Sequence, residues 1–297
     1  MYKIMMFEGG VYKFNELKEL IADIGGFVLQ ESVMQTETLM HLAFPEEEER
    51  VIRDKIKELG GKFKELPLAG TELMIVTPSM GKHHAVDPIC DISEYLRRKG
   101  AITNMMGLAR GVGKRIAQIT VEEKLILEEF DAAIFVFGNL KECIEEKVRL
   151  CAEIDLPLVI AGGPPDLELA HYVGGMGRLT DRMRRKAEFD TLERMAAELE
   201  LVINERRHEL DEDPLAVSPL FLKELIEMVI PPVPGEELPI IIQLNGLRMN
   251  LTGDDIAQIR EIPVGTKKLA DICEIRPSLY KGFLLKIRSE AETGSVF

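Results

Sequence analysis

Three short runs in this chain contain nothing but apolar residues: Leu73-Met-Ile-Val76, Ala132-Ala-Ile-Phe-Val-Phe137 and Leu158-Val-Ile-Ala161. A strand with one wet face alternates apolar and polar side chains. A strand that is apolar throughout has both faces covered. Between and around the runs, apolar residues recur at helical spacing over 88–99, 122–130 and 140–154, and 101–108 reads as extended. Such alternation predicts a small doubly wound parallel α/β domain over 71–165. Sheets of this kind bind ligands beyond the carboxyl ends of their strands. That rule directs attention to His83-His84, Gly107 to Lys114, Gly138-Asn139 and Gly162 to Pro165.

The first 70 residues read strand, helix, strand, strand, helix, strand. A strand over 2–7 ends at Gly9-Gly10. Phe14, Leu17, Leu20 and Ile21 share one helical face, and Gly25-Gly26 stops that helix. Two strands follow, then a helix that Pro45 opens with Glu46 to Glu49 in its first turn, where carboxylates suit the positive helix end. The last strand spans 62–66. This βαββαβ order predicts a ferredoxin-like unit over 1–70, a fold that hosts many functions and implies no iron. After 165 the chain reads as a helical arm over 166–230, with 178–212 as one long helix carrying a narrow apolar stripe. An α+β region over 231–297 follows, with a hairpin at 239–251 around Asn245-Gly246. The helix expected around 267–274 includes Cys273. The whole is an α/β protein with an α+β start.

At 297 residues the chain has room for two or three cores. Its net charge of −14 and lack of tryptophan argue against a nucleic-acid surface. No apolar run reaches the length of about 18 residues that a membrane span needs. The N-terminus reads directly as a strand, with no secretory pattern. Four cysteines at 90, 143, 151 and 273, with no CxxC, form neither a disulfide framework nor a zinc finger by spacing. A cytoplasmic protein with reduced thiols is expected.

The stretch after the first apolar run holds the most ligand-type groups. His83 and His84 follow Gly81, and Cys90 stands in the first turn of the next helix, where a helix N-terminus favours thiolate. Thiolate with imidazole suits an iron–sulfur cluster, zinc or copper. The plainer alternative makes the histidines exposed loop residues and the cysteine a packing residue. A closed site needs three or four ligands, so Cys273 or a partner subunit would have to complete it. Cys143 and Cys151, about 80° apart around one helix, read as buried thiols. The loop Gly107-Leu-Ala-Arg-Gly-Val-Gly-Lys114 fails as a Walker loop. Five residues separate its first glycine from Gly-Lys, and Arg115 follows the lysine. Arg110, Lys114 and Arg115 still form a candidate anion or acidic-partner site. The basic start of the long helix, Arg182 to Lys186, reads as a solvated charged face or an anion contact. No catalytic Ser/His/Asp or Cys/His arrangement, Gly-x-Ser-x-Gly or HExxH is present.

Several strings resemble methanogenesis marker protein 7. They are Lys3-Ile-Met-Met-Phe-Glu-Gly-Gly-Val-Tyr-Lys13, Leu66-Pro-Leu-Ala-Gly-Thr71, His83-His84 with Cys90-Asp-Ile-Ser-Glu-Tyr-Leu-Arg97, and Asn104-Met-Met-Gly-Leu-Ala-Arg-Gly-Val-Gly-Lys114. Gly162-Gly-Pro164 and His171-Tyr-Val-Gly-Gly-Met-Gly-Arg178 extend the similarity over most of the chain. The resemblance implies an archaeal protein of methanogenesis. It further implies a non-catalytic subunit of the ATP-dependent complex that reductively activates methyl-coenzyme M reductase, a nickel enzyme. The implied partners are that enzyme and other activation proteins, with electrons relayed through iron–sulfur clusters and no nucleic acid or membrane involved. The family offers no residue pattern to carry over. The metal candidates therefore stay those read from the residues: Cys90, then His83, His84 and Cys273. Two alternatives stay open: a metal-free scaffold of the same complex, and an α/β enzyme binding a phosphorylated small molecule at 107–114.

Overall fold

The structure, a computed structural model, describes residues 2–10, 14–33, 37–77, 87–108, 119–152, 154–176, 185–231 and 240–297. The chain divides into two compact units. One comprises residues 1–69 with 98–100, the other 70–97 with 101–297.

The first unit is a four-stranded antiparallel sheet with two helices. Its elements are β1 (Tyr2–Gly10), α1 (Phe14–Asp23), β2 (Phe27–Val33), β3 (Glu37–Pro45), α2 (Glu49–Glu58) and β4 (Lys62–Glu65), in sheet order β2-β3-β1-β4. This is the ferredoxin-like arrangement expected from the βαββαβ pattern. The register pairs Met5 with Leu42 and Phe7 with Met40, so alternate residues of β1 and β3 face one side. There they pack with Leu17, Ile21, Ile52 and Ile56 of the helices. Gly25 and Gly60, with φ of 73° and 70°, end the two helices in the left-handed conformation that glycine adopts freely.

The second unit begins with the parallel sheet: β5 (Glu72–Thr77), α3 (Asp87–Arg98), β6 (Ile102–Gly107), α4 (Val121–Leu127), β7 (Ala132–Val136), α5 (Lys141–Lys147), β8 (Leu158–Gly162) and β9 (Tyr172–Gly174). All four pairings are parallel, in order β6-β5-β7-β8-β9. Every residue of β5 and β7 is buried, as their wholly apolar runs require. Thr120 caps α4 in a reciprocal box with Glu123. The strand β9 falls in a stretch whose composition suggested helix. It lies at the sheet edge under α6 (Arg185–Glu212), the 28-residue helix. Met195, Ala196, Leu199, Val202 and Ile203 are the buried face of that helix, so it covers β8 and β9 rather than standing out as an arm.

The chain then forms α7 (Pro219–Val229), β10 (Ile240–Gln243), β11 (Gly246–Met249), α8 (Gly253–Arg260), the short pair β12 (Pro263–Val264) and β13 (Lys267–Lys268), α9 (Leu269–Ile272), β14 (Cys273–Pro277), β15 (Phe283–Ile287) and α10 (Glu290–Thr293). Its sheet is antiparallel, in order β10-β11-β15-β14. The hairpin is present, but Leu244-Asn245 forms the turn and Gly246 opens the returning strand. That glycine serves a close approach: a Cβ there would stand 2.0 Å from the Leu285 carbonyl oxygen. Cys273 starts a strand instead of closing a helix, because α9 ends after a single turn at Ile272. Its side chain joins Leu247, Met249, Ile256, Leu269 and Leu285 in one core.

Candidate functional site

Counted in chain order, the parallel strands lie 2-1-3-4-5, and the strand order reverses between β5 and β7. The crevice beyond their carboxyl ends is the topological switch point of such a sheet. The chain leaves β5 at Thr77 and returns at Asp87, the first residue of α3, and it leaves β6 at Gly107. His83, His84, Arg110, Lys114 and Arg115 belong to the intervening segments and lie outside the described residues.

Among the described residues, this edge is held by backbone bonds one step past each strand. Leu108 N–H donates to the Thr77 carbonyl (3.0 Å), Phe137 to Ala161 (2.8 Å), Gly163 to Gly138 (3.1 Å) and Met176 to Gly162 (2.8 Å). The Tyr172 hydroxyl donates to the Pro164 carbonyl at 2.7 Å, and burial pushes that phenol up to about 12. Gly174 allows the Pro164-Pro165 backbone to come close: a Cβ there would meet the two carbonyl oxygens at 2.3 and 2.2 Å. Arg194 of α6 donates to the Gly174 carbonyl at 2.8 Å and ties the long helix to the same edge.

Cys90 is exposed in the first turn of α3, while Ile89, Ile92 and Leu96 of that helix are buried. Cys273 has the opposite environment. Burial among apolar side chains pushes its thiol up to about 12, which opposes the thiolate a metal would need. The structure thus separates these two candidates, one at the surface and one inside a core. Cys151 is likewise buried and pushed up to about 12. Among the described residues, no group of three or more histidine, cysteine or carboxylate side chains is arranged to hold a metal ion.

A second polar constellation lies at the amino ends of β5 and β7, where they meet the C-terminal sheet. Arg248, buried in β11, donates from Nε to both oxygens of Glu72 (3.0 and 2.8 Å) and from Nη1 to Glu129 Oε2 (3.3 Å). Gln243 Nε2 donates to Glu72 Oε2 at 2.7 Å, and Asn104 Nδ2 to Glu72 Oε1 at 3.0 Å. Glu129 also accepts from Arg276, the Ser278 hydroxyl and the Leu279 N–H. Burial pushes the Glu129 carboxyl up, but these donors outweigh it and hold it below the usual carboxylate range. Asp131 accepts from the N–H groups of Glu72 (2.8 Å) and Leu244 (2.9 Å). There burial wins over both donors and the attraction of Lys286, and the carboxyl rises to about 6. Lys286 is pushed down by burial, partly offset by Asp131. Sequence reasoning missed this group. The available signal was charge inside or beside apolar strands: Glu72 before Leu73, Asp131 before Ala132, and Arg248 between Leu247 and Met249.

A family model described as methyl-coenzyme M reductase operon protein C matches residues 2–262. An uncharacterized protein of Methanocaldococcus jannaschii is 46% identical over 297 residues, covering 98% of this chain and 96% of that protein. The solved phospho-2-dehydro-3-deoxyheptonate aldolase of Thermotoga maritima aligns over 66% of each chain, with 12% identity and a TM-score of 0.18, too low to carry an argument. Among the described residues, no helix is long and apolar enough to cross a membrane.

Proposed function

Since the chain belongs to the methyl-coenzyme M reductase operon protein C family, we propose that it serves that enzyme as an accessory subunit of its reductive activation. The family label differs from the methanogenesis marker protein 7 that the sequence strings resembled; the link to methyl-coenzyme M reductase is common to both. In this reading the chain docks through the carboxyl edge of the parallel sheet. Cys90, with His83 and His84, contributes part of an iron–sulfur site that a partner subunit completes. The carrying observation is the exposed Cys90 thiol on the helix that follows β5, one of the two strands flanking the switch point. The described residues alone do not make a closed cluster site.

The test is iron and acid-labile sulfide on anaerobically purified protein, alone and with its co-purifying partners, for wild type and Cys90→Ala. Metal content of the complex should fall in the variant. Content unchanged by the substitution would remove Cys90 as a ligand. Co-purification of the nickel enzyme without iron would leave a metal-free scaffold.

The 2-1-3-4-5 strand order also favours a second reading, a phosphorylated small molecule bound at the same edge by the 107–114 loop. Saturable nucleotide binding that Lys114→Ala abolishes would support it. Absence of such binding in the wild type would discard it.

A further inference from the structure

The amino edge of the parallel sheet carries a groove unrelated to the proposed docking edge. A cavity of about 580 Å³ lies between α6, the loops before β7 and β8, and the Leu244-Asn245 turn. A second, of about 350 Å³, continues it toward Ser289, and the two share Arg206, Glu209, Asn245 and Lys286. Along one wall stand Val202, Glu205, Arg206, Glu209, Leu210 and Asp213. Their spacing of three and four residues is that of a single helix face. From Val202 to Asp213 this wall runs about 16 Å at the helical rise, the length of about five residues of extended chain.

The lining has a definite charge. Eight carboxylates border the two cavities against three arginine and lysine side chains. Both ends are acidic, with Glu128 and Asp155 at one and Glu274 and Glu292 at the other. Between them sits Lys286. Its Nζ donates to Gln243 Oε1 at 2.9 Å and Asn245 Oδ1 at 2.6 Å. Two of its three donors are thus engaged by side chains among the described residues, and Lys286 lines both cavities. Apolar side chains, among them Phe130, Leu156 and Leu244, complete the first cavity. His171, one of its lining residues, is among the described residues the non-glycine residue with positive φ (49°), and Glu198 holds its Nδ1 at 2.8 Å.

We propose that this groove binds an extended, lysine- and arginine-rich segment of a partner protein. The carboxylates of α6 and the facing loops take its basic side chains, and Lys286 takes a main-chain carbonyl. Length and charge alone would also suit a linear polyamine. A polyamine has no acceptor for Lys286 and would set like charge against it; a peptide supplies the carbonyl.

The test uses the full chain, a fluorescein-labelled octapeptide of alternating lysine and alanine, its glutamate counterpart, and spermidine. The lysine peptide should bind saturably and weaken as salt rises, while the glutamate peptide does not bind. Glu205→Lys combined with Glu209→Lys, both exposed, should weaken binding about tenfold or more. Glu188→Lys with Asp190→Lys, an equal charge change elsewhere on α6, should alter it less than about twofold. Lys286→Met should weaken the peptide and should not weaken spermidine, which is relieved of a like charge. Equal losses in the two double variants, displacement of the peptide by spermidine at matched charge, or no saturable binding by the wild type would each overturn the proposal. Thermal melts of the variants separate binding loss from misfolding.

Discussion

Arg248 and Glu72 stand 176 residues apart in the chain, yet Nε of one lies 3.0 and 2.8 Å from the two carboxylate oxygens of the other, both side chains almost wholly buried. The guanidinium also lies 4.7 Å from the Phe130 ring centroid and 5.5 Å from that of Tyr280. This pair joins the parallel sheet to the C-terminal sheet. Desolvating two such ions costs nearly what their attraction returns, so its main consequence is to fix which strands meet.

Removing one partner should therefore cost far more than removing both. Arg248→Ala leaves Glu72 buried without its paired guanidinium, takes from Glu129 the weaker of its two arginine contacts, and should destabilise the fold by about 3–5 kcal/mol. The double variant Glu72→Gln with Arg248→Met should recover part of that loss. Urea unfolding of the three proteins checks it. A double variant as unstable as Arg248→Ala would show that the charge balance at Glu72 is unimportant.

Asp131 makes stability depend on pH in a specific window. Its carboxyl sits at about 6 in the folded protein against 3.8 for the free side chain. The folded state thus holds the proton more tightly, and between about pH 4 and 6 it binds more protons than the unfolded chain. Stability falls as pH rises through that window, by roughly 3 kcal/mol at most, and the cost is constant above it. Asp131→Asn has no such slope. The wild-type stability minus that of the variant, followed from pH 4 to 8, should fall and then level off near 6. A flat difference would rule out the raised value.

Gly174→Ala tests the close packing of the carboxyl edge. The added methyl would meet the Pro164 and Pro165 carbonyl oxygens at 2.3 and 2.2 Å, backbone atoms that cannot swing aside. A loss of about 1–3 kcal/mol is expected. Gly10→Ala, with nothing within 4 Å of the new atom, is the control and should change little.

The thiols should separate by exposure. Cys90 should react with a maleimide in the native protein, and Cys151 and Cys273, both buried and pushed up to about 12, only after unfolding. Peptide mapping by mass spectrometry identifies the labelled positions. Native labelling of Cys273 at the rate of Cys90 would contradict its place in the core.

Much of the fold was legible because its cause is local. Periodicity, terminating glycines and wholly apolar runs are properties of neighbouring residues, and they placed β1 to β8, the hairpin and α6, the part of the long helix expected over 178–212 that falls within the described residues. Two elements escaped: β9, whose three residues are too few for a period to show, and β14, which begins inside the helix expected around 267–274 because α9 ends at Ile272. The first strand, expected over 2–7 with its end at Gly9-Gly10, runs through both glycines, with Gly10 in register with Glu37 of β3. For the site, sequence rules pointed to the carboxyl edge of the parallel sheet, and the strand order put the switch point between β5 and β7. They set Cys273 beside Cys90 as a candidate, and packing put it in a core instead.

By itself, then, the sequence determined most of the strands and helices and that the central strands must be covered on both faces, because consecutive apolar residues have to be buried on both sides of the strand. Only the tertiary structure decided that Glu72, Asp131, Arg248 and Lys286 share one polar centre, and that the last turns of α6 face Asn245 and Lys286 across a groove. Those residues come from strands and turns up to 214 positions apart, from Glu72 to Lys286. No local pattern records such a meeting, because it exists only once the two sheets have packed.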